Sequence, residues 1–120
     1  MSDIDTVKAL DAAIIDGINA KDANKATAPY AKDGAIMPPG APTMSGHDAI
    51  RGYWQAAIDG GLSDVVASPT SADVSGNFAV TMGTLAASMG GQELAGKYIL
   101  YLRNGNDGWK VQCDIWNFDA

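Results

Sequence analysis

A single cysteine, a single histidine and only eight basic residues are what this chain has least of, and each scarcity removes a class of function. One cysteine, Cys113, leaves no internal disulfide and no thiolate cluster for a metal. With His47 as the only imidazole, a zinc site lacks ligands, so no metal and no cofactor is expected. Eight Lys and Arg against fourteen Asp and Glu give a formal net charge of −6 with no basic cluster. Nucleic acid and anionic membrane are therefore not expected partners, since both are met through positive charge. No apolar run is long enough to span a bilayer. The opening Met-Ser-Asp-Ile-Asp is acidic where a secretory signal is basic and then apolar, so the expected location is cytoplasmic. Repeats and low-complexity segments are missing too.

What is present describes an ordinary globular domain. The 120 residues are 47% hydrophobic and 18% charged, enough to bury a core of their own, and residues 1–120 are read as one domain. Apolar side chains at Ile4, Val7, Leu10, Ile14 and Ile18 recur at three and four, the spacing of one helix face, and predict a helix over 3–20. Asp22 is placed to cap a second helix running to about Tyr30, with Pro29 near its end. Asp33-Gly34 then turns the chain into a short strand, Ala35-Ile36-Met37, followed by a proline-rich loop over 38–42 that cannot pair in a sheet. Ser45-Gly46-His47-Asp48 has the form of a capping box, opening a third helix through about Asp59 that Gly60-Gly61 ends.

The remainder reads as strands. Extended segments are predicted over about 64–74 and 77–89, with turns at Ser75-Gly76-Asn77 and Gly90-Gly91-Gln92. The strongest pattern is a hairpin from Gly96 to Phe118, whose arms are rich in β-branched and aromatic residues and whose Asn104–Gly108 turn offers positive-φ positions. That turn is not a calcium loop, because the spaced ligands and closing glutamate are missing. Helices first and hairpin-linked strands afterwards make an α+β class: a curved antiparallel sheet wrapped around three helices. Such a curl leaves a hollow between the layers.

Three stretches, taken in order, resemble the nuclear transport factor 2-like superfamily, in particular its SnoaL-like and ketosteroid isomerase-like branch. They are Lys21-Asp22 with Ala28–Ile36, then Ser45–Trp54, and finally Gly108–Asn117. The resemblance implies a cone-shaped fold with a pocket inside the curved sheet, commonly as a homodimer. It does not bring the isomerase chemistry with it. The positions of the family's catalytic tyrosine, general-base aspartate and protonated aspartic acid fall on Ile14, Pro38 and Ile99, none of which can move a proton or donate to an oxyanion. The Asp and His pair of the dehydratase relatives has no pocket histidine here.

One acid remains as a local candidate. Strand alternation puts Gln112, Asp114, Trp116 and Phe118 on one face, which the resemblance implies is the pocket side, and Val111, Cys113, Ile115 and Asn117 on the other. Asp114 beside Trp116 in a partly apolar hollow would have a raised pKa and suit a general acid or base. The alternative is a structural carboxylate, paired with Lys97 or hydrogen-bonded to Tyr98, Tyr101 or Trp54. A four-residue hairpin loop puts Lys97, Ile99, Tyr101 and Arg103 beside Asp114, whereas a five-residue loop puts Tyr98 there; the family pattern favours the first. Tyr30, Tyr53, Trp54 and Trp116, with Met37 and Met82, are expected to wall a pocket for a hydrophobic small molecule, unless they are core. His47 is expected exposed and idle, and Cys113 an inert small hydrophobe.

The reverse face of the hairpin, Tyr98, Leu100, Leu102, Val111, Cys113 and Ile115, is then almost wholly apolar and predicts a homodimer through the sheet. Two functions fit these residues. One is a small lyase- or isomerase-type enzyme with Asp114 as acid or base; the other is a non-catalytic ligand-binding or dimerisation module.

Overall fold

A computed structural model describes residues 2–119. Three helices, α1 (Asp3–Asn19), α2 (Ala23–Thr27) and α3 (His47–Asp59), lie against one sheet of six strands: β1 (Tyr30–Met37), β2 (Met44–Ser45), β3 (Leu62–Ser75), β4 (Phe78–Met89), β5 (Gln92–Gly105) and β6 (Gly108–Phe118). The strand order is β2-β1-β6-β5-β4-β3. Every neighbouring pair is antiparallel except β1 and β6, which run parallel, a departure from the expected all-antiparallel sheet. It follows from chain order: β1 is separated from β6 by the rest of the fold, and a strand that joins a neighbour after a long excursion is free of the hairpin constraint.

Helix α1 begins where the Ser2 side chain accepts from the Asp5 backbone N–H, and it buries Val7, Asp11, Ile14 and Ile18. Burying an aliphatic side chain of this size is worth about 1.5–3 kcal/mol, so this stripe is the helix's main attachment to the sheet. Its far end is fastened by Asn19, whose amide donates to the Val65 carbonyl and accepts from the Val65 N–H, both at 2.9 Å. Helix α2 is capped by Asp22 as expected but ends at Thr27, and Tyr30 opens β1. Pro29 lies between the two, where its carbonyl accepts from Val111 N–H and begins the β1–β6 pairing.

The third helix is not opened by a serine cap. Ser45 is held in β2 opposite Ala35, and Gly46, at φ +89°, occupies the cap position without a side-chain hydrogen bond. A residue that is a strand partner cannot fold back over a helix start, and the short strand β2 escaped the sequence reading because two residues carry no period. Its neighbour His47 is half-buried, and its Nε2–H donates to the Tyr30 carbonyl at 2.8 Å. The expectation of an exposed, idle imidazole is thus corrected: His47 ties the start of α3 to the start of β1.

Candidate functional site

The position of Asp114 is set by a one-residue bulge. Leu102 pairs with Val111 and Tyr101 pairs with Cys113, so Gln112 is the extra residue of β6. Strict alternation from Trp109 and Val111, which are buried, would put Cys113 inside and Asp114 outside. The bulge advances the count by one, and Asp114 and Trp116 point inward instead. Opposite them on β5 stand Leu100 and Tyr98, since Leu100 pairs with Asp114 and Tyr98 with Trp116.

This settles the partner of Asp114. Lys97 faces outward and pairs with exposed Asp119 at 2.7 Å, and Ile99 and Tyr101 also face outward, so the preferred four-residue register is overturned and Tyr98 is on the inner face. Gly105 pairs with Gly108, leaving a two-residue turn at Asn106-Asp107, and the bulge absorbs the difference. Gln112 does not reach the inner face for the same reason. Its amide donates to the Asp33 carbonyl at 3.4 Å and carboxylate at 3.3 Å.

Inside, two carboxyl–phenol pairs are buried. The Tyr30 hydroxyl donates to Asp114 Oδ2 at 2.6 Å, and the Tyr98 hydroxyl donates to Asp11 Oδ2 at 2.7 Å. Asp114 is 6% exposed and Asp11 4%, so neither has bulk water to share its charge. Burial pushes the Asp114 carboxyl up to about 7; the Asp11 carboxylate pushes in the same direction, and the Tyr30 hydrogen bond pulls back. Burial also raises Asp11, against the pull of the Tyr98 hydrogen bond. Both phenols are held above their ordinary value, Tyr30 by burial and then Asp114, Tyr98 by burial and then its bond to Asp11. They remain neutral donors at any ordinary pH.

Asp11 and Asp114 reach one cavity of about 70 Å³ between α1, α3 and the inner face of the sheet. Its other walls are apolar: Ile14 and Ile18 of α1, Trp54 of α3, Leu100, Trp116 and Phe118 of the sheet among them. Trp54 and Trp116 stack at 5.3 Å between centroids, 16° from parallel, and half-buried Tyr53 meets both edge-on at 5.2 and 5.8 Å. The expected aromatic group is therefore brought together around Asp114, with Tyr30 contributing its hydroxyl and Tyr53 standing behind the tryptophans. Met37 and Met82 are not part of it. They are 37% and 42% exposed on the outer face, because their neighbours Ile36 and Thr81 take the inward positions. Tyr101 is on that outer face as well, stacked on Phe78 at 6.2 Å. Among the described residues no group of three metal-ligating side chains is gathered.

Asp11 is a buried cavity residue that the sequence pattern did not point to. The buried stripe of α1 is Val7, Asp11, Ile14 and Ile18. An acid four residues after Val7 in an otherwise aliphatic stripe was the available signal, and half-buried Leu10 obscured it.

Three helices packed on a curved, unclosed six-strand sheet, with two buried acids between the layers, define a class of small α+β domains. The chain belongs to the SnoaL-like domain family, whose model matches residues 12–116. Solved structures agree in fold. A ketosteroid isomerase-like protein from Erwinia carotovora atroseptica superposes with a TM-score of 0.87 at 18% identity, covering 99% of this chain and 98% of the other. A domain of unknown function with a cystatin-like fold from Nostoc punctiforme gives 0.85 at 15% identity, covering 97% and 76%. An NTF2-like protein with a cystatin-like fold from Novosphingobium aromaticivorans gives 0.79 at 17% identity, covering 94% and 79%. At these identities the likeness is one of fold. Among curated proteins no sequence match is found. No helix of the described residues is long and apolar enough to cross a membrane.

Proposed function

We propose that the protein binds a small hydrophobic molecule in the cavity beside Asp114 and that Asp114 acts there as a proton donor or acceptor, in chemistry of lyase or isomerase type. The observation that carries this reading is the Asp114–Tyr30 pair: a carboxyl buried against the cavity, bonded to a phenol and with no cationic partner, so that it titrates near neutrality. A lysine partner would have drawn its pKa down and spoken for a purely structural carboxylate; Lys97 is on the other side of the sheet. The test is a turnover screen of small hydrophobic carbonyl and epoxide compounds against the protein and Asp114→Asn. Turnover lost in the variant supports the reading, and equal ligand binding by both forms with no turnover in either leaves a non-catalytic binding module.

The same reading includes a homodimer through the outer face of the sheet, where Ile115 is exposed as expected but four of the other residues first expected are not. Tyr98, Leu100, Leu102 and Val111 are core. The outer face carries instead a row that crosses four strands, Met82 beside Ile99, Ile99 beside Ile115 and Ile115 beside Met37. These four are 42%, 47%, 46% and 37% exposed in the single chain. A continuous apolar row of this kind is what a second copy would cover. A cytoplasmic location belongs with this reading and rests on sequence alone.

A further inference from the structure

The chain has three tryptophans, and one of them, Trp109, gives its indole N–H to Asp3 Oδ1 at 3.0 Å. Trp54 is treated differently. It is 6% exposed, it lines the cavity from α3, and its Nε1–H is buried with no hydrogen-bond partner among the described residues. The Tyr30 phenol is near enough for the indole to pull its pKa down, against burial and Asp114, yet the two are not in hydrogen-bond geometry, and the Tyr30 proton goes to Asp114. A buried donor left open costs about 1–3 kcal/mol and is uncommon in a folded protein, so it asks for an acceptor from outside the chain.

The surroundings of Trp54 narrow the kind of acceptor. Asp11 and Asp114 line the same cavity, and no Lys, Arg or His does among the described residues. An anion could bring an oxygen to the indole, but it would stand in an apolar space beside two acids with no counter-charge. An ammonium group brings more N–H donors to a donor and leaves the Trp54 N–H as it was. A neutral ketone or ether oxygen answers the N–H without either cost. Both phenols nearby, Tyr30 and Tyr98, already give their protons to the acids, so they do not compete for that oxygen.

We infer that the cavity takes a small neutral aliphatic molecule by an acceptor oxygen of ketone or ether type, and that Trp54 Nε1–H is the donor that selects it. The inference rests on the reading that this cavity is a ligand site, and it names the ligand class and the group that chooses it. Size restricts that class further. An engineered cavity of about 150 Å³ admits benzene, so about 70 Å³ suits a short aliphatic chain rather than a ring. Because the N–H is buried, the indole tilts toward the cavity to meet the ligand; it is stacked on Trp116 and touched edge-on by Tyr53, and no hydrogen bond has to break for it to move.

The experiment is an indole NMR titration of the full chain with three probes of one shape: 2-butanone, 2-methyl-1-butene, in which a methylene replaces the oxygen, and sec-butylamine. It is run at about pH 6, below the point where Asp114 ionises and where the amine is the cation. The ketone is expected to move the Trp54 indole N–H signal downfield, as a hydrogen bond does, while the alkene moves the Trp54 and Trp116 signals without that downfield shift. Trp54→Phe keeps an aromatic ring and removes the donor. It is expected to lower the ratio of ketone to alkene affinity about three- to tenfold, read at the Trp116 indole, with alkene binding reporting that the variant is folded. An unchanged ratio in Trp54→Phe, or a ketone that binds with no downfield shift at Trp54, overturns the acceptor proposal and leaves the ligand-site reading standing. Tighter binding of the amine than of the ketone overturns it as well. If none of the three probes shifts either indole signal, both readings fall.

Discussion

The Tyr30 hydroxyl donates to Asp114 Oδ2 at 2.6 Å from the first residue of β1, on the strand that lies parallel to the strand of its acceptor. The bond joins the two strands on their inner face, and His47 holds the Tyr30 carbonyl from the other side. Removing the hydroxyl therefore has both a structural and an electrostatic result. Tyr30→Phe is expected to lose about 1–3 kcal/mol of stability at about pH 5. It should also raise the Asp114 pKa further, because the hydrogen bond is what pulls that value down. Urea unfolding and carboxyl NMR titration check the two effects separately.

Stability should fall as the solution becomes less acidic. Asp114 titrates at 3.8 in its ordinary state and near 7 when folded, so between these values the folded chain keeps a proton that the unfolded chain has released. The unfolded state then binds fewer protons, and the free energy of unfolding declines with rising pH from about 4 to about 7 and is flat above. Asp11, raised in the same direction, adds to the slope. Asp114→Asn is expected to be more stable than the parent at about pH 8 and to show a shallower decline, measured by urea unfolding across that window.

The outer apolar row predicts oligomeric state. Ile115 sits between Ile99 and Met37, so Ile115→Lys puts a charge at the middle of the proposed contact while leaving the core untouched. Sedimentation at micromolar concentration should give a dimer for the parent and a monomer for the variant. A monomeric parent would rule out the dimer.

Close packing of α1 on α2 depends on Gly17. A Cβ there would collide with the backbone of Ala26, coming within 2.6 Å of its Cα, and backbone atoms of a capped helix cannot move aside. Gly17→Ala should lower stability by about 1–3 kcal/mol despite its better helix propensity, read from the urea midpoint.

Much of this architecture was legible in the residues. The α1 stripe, the Asp22 cap, the glycine turns and the long hairpin arms are local patterns, and local patterns specify their own elements. The register of the last hairpin was not. Which side of β6 faces the core depends on whether one residue, Gln112, is squeezed out of the ladder, and that is decided by the pairing of Val111 with Leu102 and Tyr30 rather than by any side chain nearby. Lys97, Tyr101 and Gln112 fell outside the site for this reason, and Tyr98 entered it. Asp11 was hidden differently: its partner is 87 positions away, and only the fold brings the phenol to it.

The measurement that tests the account most directly is the pKa of Asp114 itself, followed by ¹³C NMR of its carboxyl carbon. A midpoint near 7, rising in Tyr30→Phe, is the predicted result. A midpoint at or below the ordinary 3.8 would contradict it, because a carboxylate that ionises there is solvated or paired with a cation and is not the proton-transfer group of an apolar cavity.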